Sequence, residues 1–178
     1  MKKLVLIFFV ILSLFCGIEC YAQKSQLKKE TIHKNGLTYT KYGAWYYWDE
    51  KDPMTDQVLK FAQNQSQNQE KVGYGSTILG LGLSYTGEVT AINFIISSGG
   101  FRTDLPQVYV RFDSGEIETF GCWAYDNRSI YIMDAERFMK GLRKAKKFAI
   151  QVEPANGGKV TFSFNNLGFD WKYPIMKK

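Results

Sequence analysis

Histidine is nearly absent from this chain of 178 residues, which contains a single one, His33. A Ser-His-Asp or Cys-His triad needs an imidazole that accepts a proton beside the nucleophile, and His33 lies in a polar stretch ahead of the first strand pattern. Zinc sites are usually built from several histidines or cysteines. The sequence therefore argues against both kinds of chemistry. We predict no catalytic residue, no metal ligand and no cofactor, and hence a protein that is not an enzyme.

A membrane-spanning run is missing from the start of the chain, although an apolar segment is present. That segment extends from Leu4 to Phe15 behind two lysines, whereas a transmembrane helix needs about 20 apolar residues. The arrangement is typical of a secretory signal peptide. We expect a signal peptide over residues 1–22 and cleavage at about Ala22. The product would be an exported protein, periplasmic or secreted, with no transmembrane segment after cleavage.

Cysteine is too scarce for a disulfide framework. Of the three cysteines, Cys16 and Cys20 fall within the predicted signal peptide, which leaves Cys122 without an internal partner. Lipid attachment is the alternative use of the first two. It favours small residues just before the cysteine, and Phe15 and Glu19 stand there instead. Stability must therefore come from a hydrophobic core, in which Cys122 is expected to be a small buried residue.

Charge is modest, with a formal net value of +6. The densest basic segment lies between Arg137 and Lys147, and its spacing is typical of the solvated face of a helix. Contact of this segment with an acidic polymer or with membrane headgroups is an alternative. An exported protein of dispersed charge is not expected to bind nucleic acid. The partners left open are a protein or another envelope component, and a glycan.

Short strand patterns separated by turn residues fill most of the chain. They occur at Leu37 to Asp49, Glu88 to Ser97, Gln107 to Phe112, Ile117 to Trp123, Ser129 to Met133, Phe148 to Val152 and Val160 to Phe164. Such spacing predicts a mainly β protein, an antiparallel β-sandwich or barrel-like domain. Residues 57–62 fit a helix or a strand equally well.

One helix is predicted, over about residues 134–145. Asp134 is a good N-cap, and an apolar stripe with helical spacing follows it. Together these patterns predict a flexible polar leader over residues 23–36 and a single β-rich domain over residues 37–174.

A run of aromatic residues beside acids is the most distinctive local feature. Alternation along a strand would place Trp45 and Tyr47 on one face, and Tyr46 and Trp48 on the other. One pair would be core, and the other could stack on a sugar ring or pack on a protein; the alternative is that both faces are covered. The Asp52-Pro53 pair predicts a turn. The candidate ligand or partner surface comprises Trp45, Tyr46, Tyr47, Trp48, Asp49 and Asp52.

Carboxylates alone can hydrolyse glycosides when two of them face each other across a cleft. The candidates are Asp49, Glu50, Asp52, Asp56, Glu116 and Glu118. No spacing typical of a calcium loop is present among them. A carboxylate-based glycoside hydrolase is therefore the lowest of the alternatives.

Three segments resemble a known group of exported bacterial proteins. The segment DEKDPMTD, from Asp49 to Asp56, contains an Asp-Pro-Met-x-Asp motif. The segment VYVRFDSGEIETFGCW resembles a pair of strands in that group, and ERFMKGLRKAKKFAIQVEPANGGKVTFSFNNLGF resembles its helix and last two strands. Over Gly43 to Phe169 the chain is similar to VasI/TagO-like accessory proteins associated with type VI secretion.

This resemblance implies an exported, mostly β domain without a recognised active site. The function expected is therefore a non-enzymatic interaction or accessory protein of the bacterial cell envelope. The alternative is a carbohydrate-binding module that uses exposed aromatics among residues 45–48.

Overall fold

The computed structural model describes residues 27–72, 75–104 and 106–175. These residues form thirteen strands and one helix, α1 (Ala135–Leu142). The signal peptide predicted over residues 1–22 lies outside the described residues. In chain order the strands are β1 (Lys29–Lys34), β2 (Leu37–Tyr42), β3 (Trp45–Lys51), β4 (Val58–Gln65), β5 (Glu70–Val72), β6 (Gly75–Thr77), β7 (Leu79–Tyr85), β8 (Thr90–Ile96), β9 (Gln107–Phe112), β10 (Ile117–Ala124), β11 (Ser129–Ile132), β12 (Lys147–Val152) and β13 (Val160–Asn165).

Eleven strands form one antiparallel sheet in the order β1-β2-β3-β4-β7-β8-β11-β10-β9-β12-β13, and β5 pairs with β6. Strand β10 belongs to two parts of this sheet, because residues 122–124 pair with β11 and residues 117–121 pair with β9. We call β1-β2-β3-β4-β7-β8-β11-β10 the first layer and β10-β9-β12-β13 the second layer. Within the described strands the two ends, β1 and β13, do not pair, so the sheet is open. The predicted mainly β, antiparallel fold with one helix is confirmed.

Alternation along the strands directs apolar side chains into one core between the layers. In β8, for example, Ile92, Phe94 and Ile96 are buried, whereas Asn93 and Ile95 point outward. Burial of such side chains is worth about 1.5–3 kcal/mol each and is the main stabilising term. The second layer contributes Val108, Val110, Phe120, Phe148, Ile150, Val152, Phe162 and Phe164.

Helix α1 covers one side of this core. The ring of Phe138 meets Phe94 and Phe120 edge-on, with centroids 5.8 and 5.6 Å away. The Asp134 carboxylate accepts a hydrogen bond from the Arg137 amide at 3.2 Å, so the predicted N-cap is confirmed. No helix in the described residues is long and apolar enough to cross a membrane. All six basic residues from Arg137 to Lys147 are exposed, but only Arg137 and Lys140 lie on the helix, so the interpretation as one solvated helical face holds for these two alone. The others follow the helix, and Lys147 begins β12: Arg143, Lys144, Lys146 and Lys147.

The helix ends at Leu142, short of the predicted end near residue 145. The side chain of Asn166 donates to the carbonyl oxygens of Leu142 and Ala145 at 2.6 and 2.8 Å. Carbonyls at a helix end need such partners, and a distant asparagine supplies them here.

The segment after β13, which we call the tail (residues 166–175), returns across the inner side of the first layer. The amide of Ala44 donates to the Leu167 carbonyl at 2.8 Å. The indole of Trp171 donates to the Thr90 hydroxyl at 3.0 Å, and Tyr173 lies near Tyr85 with ring centroids 5.0 Å apart. The tail therefore covers apolar surface that the second layer does not reach.

Two sequence predictions differ from the structure in detail, and one alternative that the sequence left open is decided. Part of the segment predicted as a flexible leader forms β1, which pairs with β2 along its whole length. The single strand predicted from Leu37 to Asp49 is two strands, because Gly43 turns the chain with φ +61°. Residues 57–62, left open between helix and strand, mostly belong to β4. Four of the six residues of β1 are charged or imidazole side chains, so hydrophobic alternation could not reveal it.

Candidate functional site

The surface predicted on residues 45–52 is divided between the two faces of β3 and the turn that follows. Trp45 lies in the core with a relative exposure of 0%. Its indole N–H donates to the Asn166 side-chain oxygen at 3.1 Å. The prediction of a ligand-facing Trp45 is therefore wrong, because the ring is enclosed and its one donor is satisfied.

Tyr47 lies on the same inner face, at the wall of a cleft beneath the tail. Its hydroxyl donates to a tail carbonyl at 2.9 Å and accepts from the Asp170 amide at 2.7 Å, and burial raises its pKa. The cleft has a volume of about 200 Å³. Two ion pairs lie along it, Asp49 with Lys60 and Asp170 with Lys29. The charged side chains of the cleft are therefore paired with each other, and the Tyr47 hydroxyl already makes two hydrogen bonds. Few polar groups of the cleft remain available to a ligand.

Asp52 stabilises the turn that the sequence predicts. Its carboxylate accepts from the amides of Met54 and Thr55 at 2.7 and 3.3 Å. The bond from Met54 is the main reason why the pKa of this exposed carboxyl is lowered. The side chain is therefore used within its own turn.

Other acids named for a carboxylate mechanism also have local partners. Glu50 accepts from the indole of Trp48 at 2.7 Å, and Glu118 lies 3.8 Å from Arg137. Within residues 27–72, 75–104 and 106–175, no group of three or more His, Cys, Asp or Glu side chains could hold a metal ion. These contacts give the acids roles in the fold.

The outer face of the first layer carries two aromatic clusters. The first consists of Tyr39, Trp48 and Phe61 on three adjacent strands. Trp48 stacks on Phe61 with a centroid distance of 5.2 Å and an interplanar angle of 15°, and Tyr39 lies 5.3 Å away on a tilted plane. Tyr46 lies on the same face, two residues from Trp48, beside Lys41. Of the four aromatic residues predicted for the binding surface, Tyr46 and Trp48 therefore lie on this outer face.

A second aromatic cluster, Trp123, Tyr125 and Tyr131, was not predicted from the sequence. Trp123 stacks on Tyr131 with centroids 4.6 Å apart and planes 11° apart, and Tyr125 lies 6.4 Å from Trp123. Trp123 is 49% exposed and Tyr125 is 72% exposed. The available signal was alternation, because Trp123 in β10 and Tyr125 just after its end both fall out of phase with buried Cys122.

A single cross-strand row joins the region of the first cluster to the second. Tyr46 pairs with Gln63, Gln63 with Gly82, Gly82 with Asn93, Asn93 with Tyr131, and Tyr131 with Trp123. We call these six residues the outer row. They span five strand spacings of about 4.8 Å, or about 24 Å in all. An extended ligand lying across the strands would contact aromatic rings at both ends.

This face is uncharged over the five strands β4, β7, β8, β11 and β10. In the first-layer part of these strands, all of which the structure describes, every outward-facing residue is apolar, aromatic, amide, hydroxyl or glycine. They are Leu59, Phe61, Gln63, Gln65, Gly80, Gly82, Ser84, Ala91, Asn93, Ile95, Ser129, Tyr131 and Trp123. Since charged residues make up 22% of the chain, a face this wide without charge is a distinctive surface.

Two carboxamides lie in the middle of the outer row with unused hydrogen-bonding capacity. The side chains of Gln63 and Asn93 make no hydrogen bond within the described part of the chain, although both residues are partly buried. Asn93 lies across Gly82, where a Cβ atom would collide with its amide, and a Cβ on Gly80 would lie 3.4 Å from the Gln63 nitrogen. The glycines of β7 therefore leave space in which both amides lie over the sheet.

The remaining reactive side chains lie elsewhere. His33 is exposed on β1, with its Nδ1 3.0 Å from the Thr38 hydroxyl. Cys122 is buried as predicted, and burial raises the pKa of its thiol to about 12. Neither residue belongs to the outer row.

Comparison with known proteins gives one distant likeness. No protein-family model matches this chain, and no curated protein matches it. It is similar to the crystal structure of invasion associated protein B from Bartonella henselae, with 15% identity and a TM-score of 0.48. That likeness covers 73% of this chain and 89% of the other. What this chain binds must therefore be inferred from its own residues.

Proposed function

We propose that this protein is a non-enzymatic binding domain of the bacterial cell envelope. In this proposal it is exported with the aid of residues 1–22 and acts as an interaction or accessory protein. The outer face of the first layer would be its binding surface. The observation that carries the proposal is the uncharged face with two aromatic clusters, which includes Trp123 and Tyr125 at 49% and 72% exposure. Exposed aromatic surface of this kind is typical of recognition sites.

The environment of the acids favours binding over catalysis. A general acid or nucleophile must be free to reach a substrate, whereas Asp49, Glu50 and Asp52 each bond to a neighbouring group. The resemblance to VasI/TagO-like accessory proteins supports the same role. A carboxylate-based glycoside hydrolase would be the better description if the purified chain released reducing ends from a polysaccharide.

Retention by isolated envelopes tests the binding proposal. The full chain is incubated with purified bacterial envelope fragments, and the bound fraction is measured after sedimentation. We expect retention that falls at least tenfold in the double variant Trp123→Ala/Tyr125→Ala. The matched control is Ile117→Ala, which removes a residue 64% exposed on the second layer. Absence of retention, or equal retention by both variants, would overturn the proposal.

Export is tested separately in a bacterial host that expresses the full chain. Fractionation should place the protein outside the cytoplasm, and mass spectrometry should find a mature chain that begins at Gln23. A cytoplasmic, unprocessed chain would contradict the proposed role in the envelope. It would leave the proposed binding surface untested.

A further inference from the structure

We infer that the outer row binds a linear, uncharged oligosaccharide laid across the strands. This inference rests on the proposed function, because it names the ligand class of the same face. It differs from the expectation drawn from residues 45–48, because Trp45 and Tyr47 face inward. Here the binding groups come from six strands, with Tyr46 at one end and Trp123 at the other.

The aromatic ends of the row suit the apolar faces of sugar rings. Tyr131 covers one side of Trp123 at 4.6 Å, so the 49% exposure of Trp123 comes from its opposite side and its edge. An amphipathic ligand can pack its C–H groups on such a ring while its hydroxyls reach polar neighbours. At the other end Tyr46 lies on the same face of β3 as Trp48, two residues away.

The amides of Gln63 and Asn93 suit sugar hydroxyls. A carboxamide presents both donors and an acceptor, and a hydroxyl does the same, so pairs can form in either direction. Neither amide is committed to another group of the described chain. Polar groups already positioned on a rigid sheet lose little freedom when they bind.

The lack of charge on the five strands and the length of the outer row restrict the class of ligand further. The outward-facing residues of β4, β7, β8, β11 and β10 in the first layer include no charged side chain, so a uronic acid, a phosphate or a sulfate would find no counter-charge over these five strands. A cation lies at the Tyr46 end of the row, where Lys41 Nζ is 5.9 Å from the ring centroid. A row of about 24 Å is too long for one sugar ring and suits an extended polymer. A protein partner is less favoured, because protein interfaces are commonly enriched in arginine as well as in aromatic residues, and no arginine faces outward from these five strands.

Titration calorimetry with defined hexasaccharides tests the inference on the full chain. The probes are β-1,4-linked hexamers of glucose, mannose, xylose and N-acetylglucosamine, with hexagalacturonate as the charged comparison. We expect at least one uncharged hexamer to bind and hexagalacturonate not to bind. The affinity for the binding hexamer should fall at least tenfold in Trp123→Ala and about tenfold in Asn93→Ala or Gln63→Ala. Ile117→Ala should bind as the unchanged chain does.

The outcomes separate this inference from the proposed function. If none of the four uncharged hexamers binds, or if hexagalacturonate binds equally well, the inference is wrong. It is also wrong if Trp123→Ala and Ile117→Ala bind the hexamer with equal affinity. Envelope retention that depends on Trp123 but disappears when the envelope is treated with protease would identify a protein partner. That result would overturn the glycan and leave the proposed function intact.

Discussion

Asn166 joins three parts of the fold through one side chain. Its oxygen accepts from the buried indole of Trp45, and its nitrogen donates to the carbonyls of Leu142 and Ala145. Substitution Asn166→Ala would leave these buried groups unpaired, and each such group costs about 1–3 kcal/mol. We therefore expect the free energy of unfolding in urea to fall by about 2–4 kcal/mol.

The control for this prediction removes a side-chain amide that makes no hydrogen bond within the described residues. Gln69 is exposed, and its side chain makes no hydrogen bond within the described residues. Substitution Gln69→Ala should change stability by less than about 0.5 kcal/mol. Similar losses in the two variants would contradict the role assigned to Asn166.

The thiol of Cys122 should be inert in the folded protein. Burial raises its pKa from 9.0 to about 12, so the folded state keeps the proton that the unfolded chain releases near pH 9. The stabilisation is complete below pH 9 and is lost as the pH rises toward 12, by up to about 1.4 kcal/mol per pH unit. In a Cys16→Ser/Cys20→Ser background, a thiol reagent at pH 8 should label Cys122 only after unfolding in urea. Rapid labelling of the folded chain would contradict this assignment.

At the scale of elements, the β2–β3 hairpin and the start of the tail are packed backbone against backbone. Gly43 has φ +61° and Gly168 has φ +86°, and a Cβ on either would overlap a carbonyl of the opposite segment. Gly36 has a similar φ of +78° but faces open space. Substitution Gly168→Ala should therefore cost about 3–5 kcal/mol of unfolding free energy, whereas Gly36→Ala should cost only the backbone strain of about 1–2 kcal/mol.

Comparison of these two variants isolates the close approach from the strain of a positive φ, since both share the strain. Chemical denaturation of each provides the measurement. If Gly36→Ala destabilises the protein as much as Gly168→Ala, the hairpin does not depend on its contact with the tail.

The elements that the sequence predicted are those in which local patterns suffice. Strand β8 alternates apolar and polar residues, and the β9–β10 hairpin has a strong turn signal at residues 113–116. Strand β1 has little apolar pattern and depends on its pairing with β2, which a local pattern cannot show. The outer row could not be predicted from the sequence for a related reason. Its members come from six strands, and only the sheet register makes Tyr46 and Trp123 parts of one surface.

At the scale of the whole molecule, tryptophans of the core and of the surface should contribute to different properties. Trp171 belongs to the tail, is buried at 5% exposure, and donates to Thr90 at 3.0 Å. Trp123 is 49% exposed and contacts mainly Tyr131 and Tyr125 on the outer face. Removing the first ring opens the core where the tail covers the first layer, whereas removing the second leaves the core intact.

Substitution Trp171→Ala should therefore lower the free energy of unfolding by about 3–5 kcal/mol. Trp123→Ala should lower it by about 1 kcal/mol, the worth of an aromatic contact at the surface. Urea denaturation followed by circular dichroism measures both. A loss in Trp123→Ala as large as that in Trp171→Ala would mean that the outer aromatic cluster stabilises the fold. Retention of stability, with loss of envelope binding, is the result that a surface built for recognition requires.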